Sequence, residues 1–320
     1  MINTSCINLS LHLQACENIM ISTVPSSAYL KIHIAVLLFG FTAILGDMIQ
    51  LPAIVIVWWR VLITSFSLLF FIRFGKTIRQ LSKKLIRTYV IIGIIIGLHW
   101  ICFYGSVKLS NASVCLICMS TTSLFTSIIE PFWARTKFNR FELFTGAMIV
   151  PGMLLVVNSI DIKYMAGVWV GLLSALLAAV FSTLNKANIK GADPYTISFI
   201  ELSGAWVMVS ILLGGMHLTN LPIDHFIPPS VSDWVYLLVL ALLCTTLAHV
   251  LTLQSLNHLS AFSSNLVINL EPVYGILLAI VILKEHKDLN TMFYIGALII
   301  IMTVLLHPVL NKKFNTKTSY

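Results

Sequence analysis

The sequence predicts an all-α membrane protein whose ten transmembrane helices form two inverted five-helix repeats. Three observations lead to this fold class. The chain is 58% hydrophobic and only 10% charged, it contains ten apolar runs of about membrane-spanning length, and a shift of 150 residues aligns similar motifs in its two halves. Because five is an odd number, the two repeats cross the membrane in opposite senses.

The low charge content places the chain in a lipid bilayer. A soluble domain carries about 25% charged residues, far more than this 320-residue chain has. The formal net charge of +8 could indicate nucleic acid, but the basic residues cluster between the apolar runs and form no stripe with interleaved aromatic residues. We therefore expect the lipid bilayer as a partner, and no nucleic acid.

The predicted spans follow from hydropathy and length. A helix that crosses a hydrocarbon core of about 30 Å needs about 20 mostly apolar residues. Asp193 and Pro194 provide an N-cap and a first-turn proline for the seventh span. The ten runs lie near residues 30–49, 52–73, 88–107, 110–133, 140–157, 164–185, 195–213, 233–253, 259–283 and 291–309.

The two ends of the chain are predicted to lie outside the helical bundle. Residues 1–29 form a polar segment without the basic start and apolar core of a secretory signal peptide. We expect a disordered leader, with Met20 as an alternative start of translation. Residues 310–320 contain three lysines and are expected to form a cytoplasmic basic tail.

The basic residues also predict the orientation in the membrane. With the N-terminus inside, fifteen of the twenty Lys and Arg residues fall in cytoplasmic segments and four in outer loops. The remaining one, Arg60, lies within a span. Cytoplasmic loops of membrane proteins carry an excess of Lys and Arg, so we expect both termini in the cytoplasm.

An internal repeat relates the two halves of the chain. The 150-residue shift places KLSNAS (108–113) over HLSAFS (258–263) and keeps its register through two spans. In proteins built from inverted repeats, the substrate site lies near the membrane midplane between the halves. We assign the first repeat to residues 30–157 and the second to residues 158–309.

Three stretches resemble the EamA-like transporters of the drug/metabolite transporter superfamily. They are VWWRVLITSFSLLFF in span two, LSNASVCLICMSTTSLFTSIIEP in span four and LSAFSSNLVINLEPVYGILLAIVILKEH in span nine. The resemblance covers about residues 30–308. It implies two inverted five-helix halves and a carrier that moves amino acids or other small metabolites outward. One departure is that EPFWARTKF ends span four without the Gly-Glu pair expected at the end of such a half.

Three charged or titratable residues are predicted near the middle of the membrane. At ~1.5 Å per residue, Glu271 lies ~18 Å from the cytoplasmic end of span nine, and Arg60 lies ~12 Å from the outer end of span two. These positions share one depth, and His99 in span three is also central. Charges inside a membrane usually face the bundle interior, so we expect Arg60 and Glu271 to approach each other or face one cavity. The residues leave open whether they form a fixed ion pair or bind substrate charge while Glu271 exchanges a proton.

Further polar and aromatic residues are candidates for the same pathway. Ser120 and Ser123 belong to a hydroxyl-rich face of span four, which either packs closely against another helix or lines a cavity. Tyr274 shares a helix face with Glu271, and Glu201 lies ~9 Å into span seven. Deep tryptophans, Trp59 and Trp100, could form apolar cavity walls, although packing is the more common role of such residues.

We therefore interpret the chain as a secondary active transporter, most simply an exporter of small metabolites across a prokaryotic inner membrane. The sequence has no P-loop, so ATP is not the evident energy source, and coupling to protons through Glu271 is a simple alternative. We expect no cofactor and no metal, and leave open whether the protein forms a homodimer. The competing interpretation is a membrane-embedded enzyme acting on lipid, with His217, Asp224, His225 and Asp233 clustered at the 214–232 loop.

Overall fold

A computed structural model of the protein describes residues 25–72, 77–134, 138–284 and 290–315. All regular secondary structure in these ranges is helical. The expected leader falls almost entirely outside them. The last helix continues to Asn315, into the segment expected to be a tail. The α-helices are α1 Ser26–Met48, α2 Ala53–Leu68, α3 Thr77–Gln80, α4 Lys83–Leu109, α5 Ala112–Met119, α6 Thr122–Ala134, α7 Arg140–Ala147, α8 Ile149–Ser159, α9 Met165–Asn188, α10 Pro194–Leu218, α11 Val231–Ala241, α12 Ala248–Leu256, α13 Ala261–Ile268, α14 Glu271–Leu278 and α15 Thr291–Asn315.

Eight helical segments are long and apolar enough to cross a membrane. They cover eight of the ten predicted spans: Ser26–Met48, Lys83–Leu109, Ala112–Trp133, Arg140–Ser159, Ile162–Gly191, Pro194–Leu218, Val231–Leu256 and Ala261–Leu283. Predicted spans two and ten correspond to shorter apolar helices, Ala53–Leu68 and Thr291–Thr303. Sixteen residues give only ~24 Å of helix, less than a typical hydrocarbon core. Helix length alone therefore does not establish the count of ten.

Two of the spanning segments are broken at corresponding places. The first is interrupted between α5 and α6 at Ser120 and Thr121, and the second between α13 and α14 at Asn269 and Leu270. Side-chain caps begin both segments, because Asn111 accepts from the N–H of Val114 and Ser260 accepts from that of Ser263. The caps and the breaks show the same 149-residue offset, one residue less than the shift seen in the sequence, and this agreement supports the repeat.

The two breaks have different local causes. In the first, three consecutive hydroxyls donate to carbonyl groups three residues earlier: Ser120 to Ile117, Thr121 to Cys118 and Thr122 to Met119, at 2.6 to 2.7 Å. Such bonds compete with the helical ladder. In the second, Pro272 has no N–H to donate and stands in the first turn of α14. A proline is tolerated there because first-turn N–H groups have no helical acceptor.

Close helix packing surrounds these segments. Helix α4 packs against α2, α9 and α10. A Cβ added at Gly93 of α4 would collide with the carbonyl oxygen of Glu201 on α10, and one added at Gly171 would lie 2.8 Å from the Ser106 hydroxyl. Small residues at these positions therefore allow the close approach that packing in a membrane requires.

Candidate functional site

A cavity of about 80 Å³ lies inside the bundle. That volume accommodates several water molecules or the polar part of a small metabolite. Side chains from both halves line the cavity, and most of them are buried. The lining includes Phe39, Thr42, Arg60, His99, Trp100, Phe103, Met119, Thr122, Phe181, Ser182, Asn185, His249, Thr252, Ser264, Asn265, Ile268 and Glu271.

Arg60 is held in place by polar and aromatic neighbours. Its Nε donates to Thr245 Oγ1 at 2.5 Å, Nη1 to the Tyr104 hydroxyl at 2.6 Å, and Nη2 to the carbonyl of Cys244 at 3.5 Å. The guanidinium carbon lies 4.0 Å from the centre of the Trp100 ring. These bonds use three of the five N–H donors of an arginine side chain. They fix the plane of the guanidinium and leave two donors.

The acceptor Thr245 stands in a π-helical turn, Leu242–Leu247, between α11 and α12. Its hydroxyl donates to the carbonyl of Leu240, five residues earlier, at 2.7 Å. A π-bulge inserts one extra residue into a helix and is frequent at functional sites. Here the wide turn presents both Thr245 and the Cys244 carbonyl to Arg60.

Glu271 lines the same cavity as Arg60, with Thr42 beside its carboxyl group. Among the described residues, no ion pair within 4.0 Å joins these two charges. The side chains therefore face a common space, one of the two arrangements that the sequence predicted.

His99 and Trp100 form one wall of the cavity. His99 Nδ1 lies 2.9 Å from both the carbonyl and the hydroxyl of Ser174 on α9. That hydroxyl donates in turn to the carbonyl of His99 at 3.0 Å. These bonds tie α4 to α9 and fix the orientation of the imidazole.

Two asparagines that were not among the predicted site residues join the broken segments. Asn269 Nδ2 donates to the carbonyl of Ser120 at 2.8 Å and to Ser123 Oγ at 2.7 Å. Asn265 Nδ2 donates to Thr126 Oγ1 and Ser182 Oγ at 2.8 and 2.7 Å. Ser120 and Ser123 thus bind Asn269, and Thr122 is the residue of their segment that lines the cavity with a hydroxyl. Two amides one helical turn apart in an apolar span were the available signal.

Glu201 is fully buried beside the cavity. Its Oε2 atom lies 3.1 Å from His249 Nε2 and 3.4 Å from Asn185 Nδ2. His249 and Asn185 line the cavity, and Glu201 lies behind them. In the sequence alone, His249 stands in an apolar run without any motif around it. Its cavity exposure arises only when α10 and α12 meet.

Trp59 and Tyr274 lie away from the cavity. Trp59 Nε1 donates to the carbonyl of Phe226 at 2.9 Å, and its ring contacts Trp58, Phe226 and Trp234. Tyr274 packs against α1 near Gly40. The side chains of Trp58 and Trp59 leave α2 toward Phe226, whereas the next side chain, Arg60, faces the cavity. Helix rotation, which hydropathy does not specify, decides each case.

Asp233, one member of the cluster considered for a lipid enzyme, lies in the first turn of α11, whose N-cap is Ser230. Its backbone N–H donates to Ser230 Oγ at 3.1 Å, and its Oδ1 accepts from the N–H of Gln50 at 2.8 Å. In the described part of the chain, no group of three His, Cys, Asp or Glu side chains is placed to hold a metal ion. The carboxylate is therefore committed to stabilising α11 and the loop before α2.

Eight apolar helical segments of spanning length around a buried polar cavity define an integral, multi-pass membrane protein. The model of the EamA-like transporter family matches residues 26–158 and 165–307, one match for each half. The chain therefore belongs to this family of membrane transporters, which is part of the drug/metabolite transporter superfamily.

Two of the proteins that are similar to this chain show how far the similarity extends. The uncharacterized transporter YxxF of Bacillus subtilis (strain 168) is 22% identical over 275 residues, which cover 82% of this chain and 84% of the relative. A protein of known crystal structure superimposes with a TM-score of 0.67 at 13% identity, covering 90% of this chain and 99% of the other. The similarity to YxxF agrees with membership of a transporter family, and the superposition shows that this chain shares its fold with the second protein.

Proposed function

We propose that this protein is a secondary active exporter of small zwitterionic metabolites, such as amino acids, across the inner membrane, with both termini in the cytoplasm. The observation that carries the proposal is the placement of Arg60 and Glu271 on one cavity without an ion pair between them. Each charge is available to the opposite charge of a zwitterion. A fixed ion pair, by contrast, would neutralise both.

The surroundings of the two charges support this ligand class. A guanidinium held in one plane can bind a carboxylate through two parallel N–H donors, and Arg60 has two donors left. Glu271 can accept hydrogen bonds from an ammonium group. Trp100, Phe103 and Phe181 supply apolar and aromatic surface for the rest of a small molecule.

The broken helices support a transport cycle. Inverted-repeat transporters place their sites at discontinuous helices, and access alternates as one repeat moves against the other. In the proposed orientation, Asn185, Thr252 and Asn265 lie on the cytoplasmic side of the charges, so the cavity extends inward from Arg60 and Glu271. The aromatic group of Trp58, Trp59 and Phe226 closes the opposite side. We assign this arrangement to an inward-facing or occluded state.

Energy for export would come from proton exchange at Glu271. A carboxyl group shared between substrate and proton couples their movements, because the protonated form binds an ammonium group less well. In this scheme the outward-facing state releases the substrate as Glu271 takes up a proton, and the protonated carrier returns inward.

The test begins with a thermal-shift screen of the purified protein against a metabolite library. A ligand at 100 times its Kd stabilises the folded state by ~2.7 kcal/mol, which corresponds to an increase of a few degrees in unfolding temperature. Hits are then measured as radiolabelled substrates for counterflow in proteoliposomes. We expect the variant Glu271→Gln to lose pH-dependent transport while its unfolding temperature stays near that of the original protein. Unchanged counterflow and an unchanged pH response in this variant would remove Glu271 from the proposal.

A further inference from the structure

The second half of the chain contains a buried acid–histidine pair at the position that Arg60 and Trp100 occupy in the first half. Arg60 lies eight residues after Pro52, the N-cap of α2, and Glu201 lies eight residues after Asp193, the N-cap of α10. Spans two and seven are repeat-equivalent, so the two charges lie at corresponding points of opposite-running helices.

The partners of these charges correspond as well. Trp100 lies eighteen residues after Ser82, the N-cap of its span, and His249 lies nineteen residues after Ser230, the N-cap of the equivalent span. The extra residue is accounted for by the π-helical turn Leu242–Leu247, which precedes His249. The contact between Glu201 and His249 is therefore the repeat counterpart of the contact between Arg60 and Trp100.

The Glu201 pair is incompletely hydrogen-bonded. Glu201 Oε1 and Asn185 Oδ1 are buried acceptors without a hydrogen-bond partner among the described residues. An unpaired buried acceptor costs about 1–3 kcal/mol. Protonation neutralises the Glu201 carboxyl, and an unpaired buried oxygen costs less on a neutral group than on a charged one.

The surroundings of Glu201 contain no fixed cation in the described part of the chain. Around its carboxyl, His249 comes from α12, the neutral Asn185 amide from α9, and the Tyr89 ring from α4. The Tyr89 hydroxyl is committed to the carbonyl of Asn188 at 2.9 Å. Asp193, on the same helix as Glu201, caps its N-terminus. The charge of Glu201 is thus balanced by a group whose own charge depends on proton binding, His249.

We propose that His249 and Glu201 form a proton-binding site separate from Glu271. With Nε2–H donating to Glu201, the Nδ1 atom of His249 accepts a proton from a hydronium ion that enters the cavity from the bulk solution, and water is left behind. The Nε2 proton then passes to Oε2 of Glu201, so that the pair gains one proton and one positive charge. The use of this proton in export rests on the proposed function, whereas its binding does not.

The site is tested by infrared spectroscopy on proteoliposomes of phosphatidylethanolamine and phosphatidylglycerol, titrated in sodium-free buffer. The C=O stretch of protonated carboxyl groups reports each buried acid. We expect Glu201→Gln to remove one titrating component that Glu271→Gln, the matched control, retains. His249→Gln keeps Glu201 and should shift the midpoint of that component by about one pH unit or more, because it removes the ionisable partner.

Three outcomes would overturn the inference. The first is a titration of the Glu201→Gln variant that is identical to that of the original protein. The second is a midpoint of the Glu201 component that His249→Gln leaves unchanged. The third is a Glu201 component that responds to NaCl at constant pH, because such a response indicates a sodium site. Unfolding temperatures in the same vesicles show whether each variant is folded. If the Glu201→Gln variant does not fold, the effect of His249→Gln on the midpoint tests the inference. Because the titration needs no substrate, a titrating Glu201 in a protein without counterflow would overturn the transport proposal alone.

Discussion

Arg60 with Trp100 and Glu201 with His249 occupy corresponding places in the two halves of one bundle, yet their environments differ. Arg60 reaches the cavity directly and has three hydrogen-bond partners and an aromatic ring around its guanidinium. Glu201 stands one layer behind the cavity, with one carboxyl oxygen unpaired among the described residues. The two halves thus place a polar group at the same position. The neighbouring residues determine whether that group lines the cavity or lies behind the residues that line it.

The largest expected effect comes from Arg60→Lys, which keeps the charge and removes the planar fork. An ammonium group cannot make the paired N–H contacts to a carboxylate, and it leaves Thr245 and Tyr104 without their donor. We expect counterflow of a library hit to fall about a hundredfold, equivalent to ~2.7 kcal/mol.

Glu201→Gln provides the contrast for this change, because our scheme leaves substrate exchange to Arg60. It should retain counterflow and at least part of the pH dependence of export, because Glu271 still exchanges its proton in this variant. Equal losses of counterflow in both variants would mean that the two corresponding sites do not have separate roles.

A smaller effect is expected from Gly93→Ala, which alters the packing next to Glu201. The added Cβ collides with the carbonyl of Glu201 and pushes α4 away from α10. Such overpacking costs about 1–3 kcal/mol, which a lower unfolding temperature would report. Gly214→Ala is the matched control, since a Cβ there meets no described atom within 4 Å. An unfolding temperature as high as that of the control would contradict the close packing at Glu201.

The smallest effect is expected from Thr245→Val, which acts on the first site. Valine keeps the shape of threonine but removes the acceptor for Arg60 Nε. Loss of one hydrogen bond to a charged group costs about 1.5–3 kcal/mol when buried, and less where water from the cavity replaces it. We therefore expect a decrease of about 1 kcal/mol in ligand-induced stabilisation, measured by thermal shift.

Thr303→Val is the control for that change, because the Thr303 hydroxyl only binds the carbonyl of Ile299 in its own helix. Its ligand-induced shift should equal that of the original protein. If Thr245→Val behaves in the same way, the π-helical turn has no part in holding Arg60 for a ligand.

Much of the helical framework could be predicted from the sequence. The spans containing Arg60, Glu271 and His99 follow from residue counts along apolar runs, and all three side chains line the cavity. The same counts could not separate Trp59 from Trp100, because both are deep and aromatic. Only the rotation of α2 and α4 turns Trp100 onto Arg60 and Trp59 onto Phe226.

By itself, the sequence determined the membrane class and the approximate positions of the helices. Backbone N–H and C=O groups in lipid must form hydrogen bonds within their own segment, so a membrane-spanning helix appears in the sequence as a continuous apolar run. Tertiary structure decided which polar residues meet. Asn269 joins Ser120 and Ser123, and His249 joins Glu201, through contacts between residues 48 or more positions apart. The azimuth of each helix sets these contacts, and it depends on how all the neighbouring helices pack together.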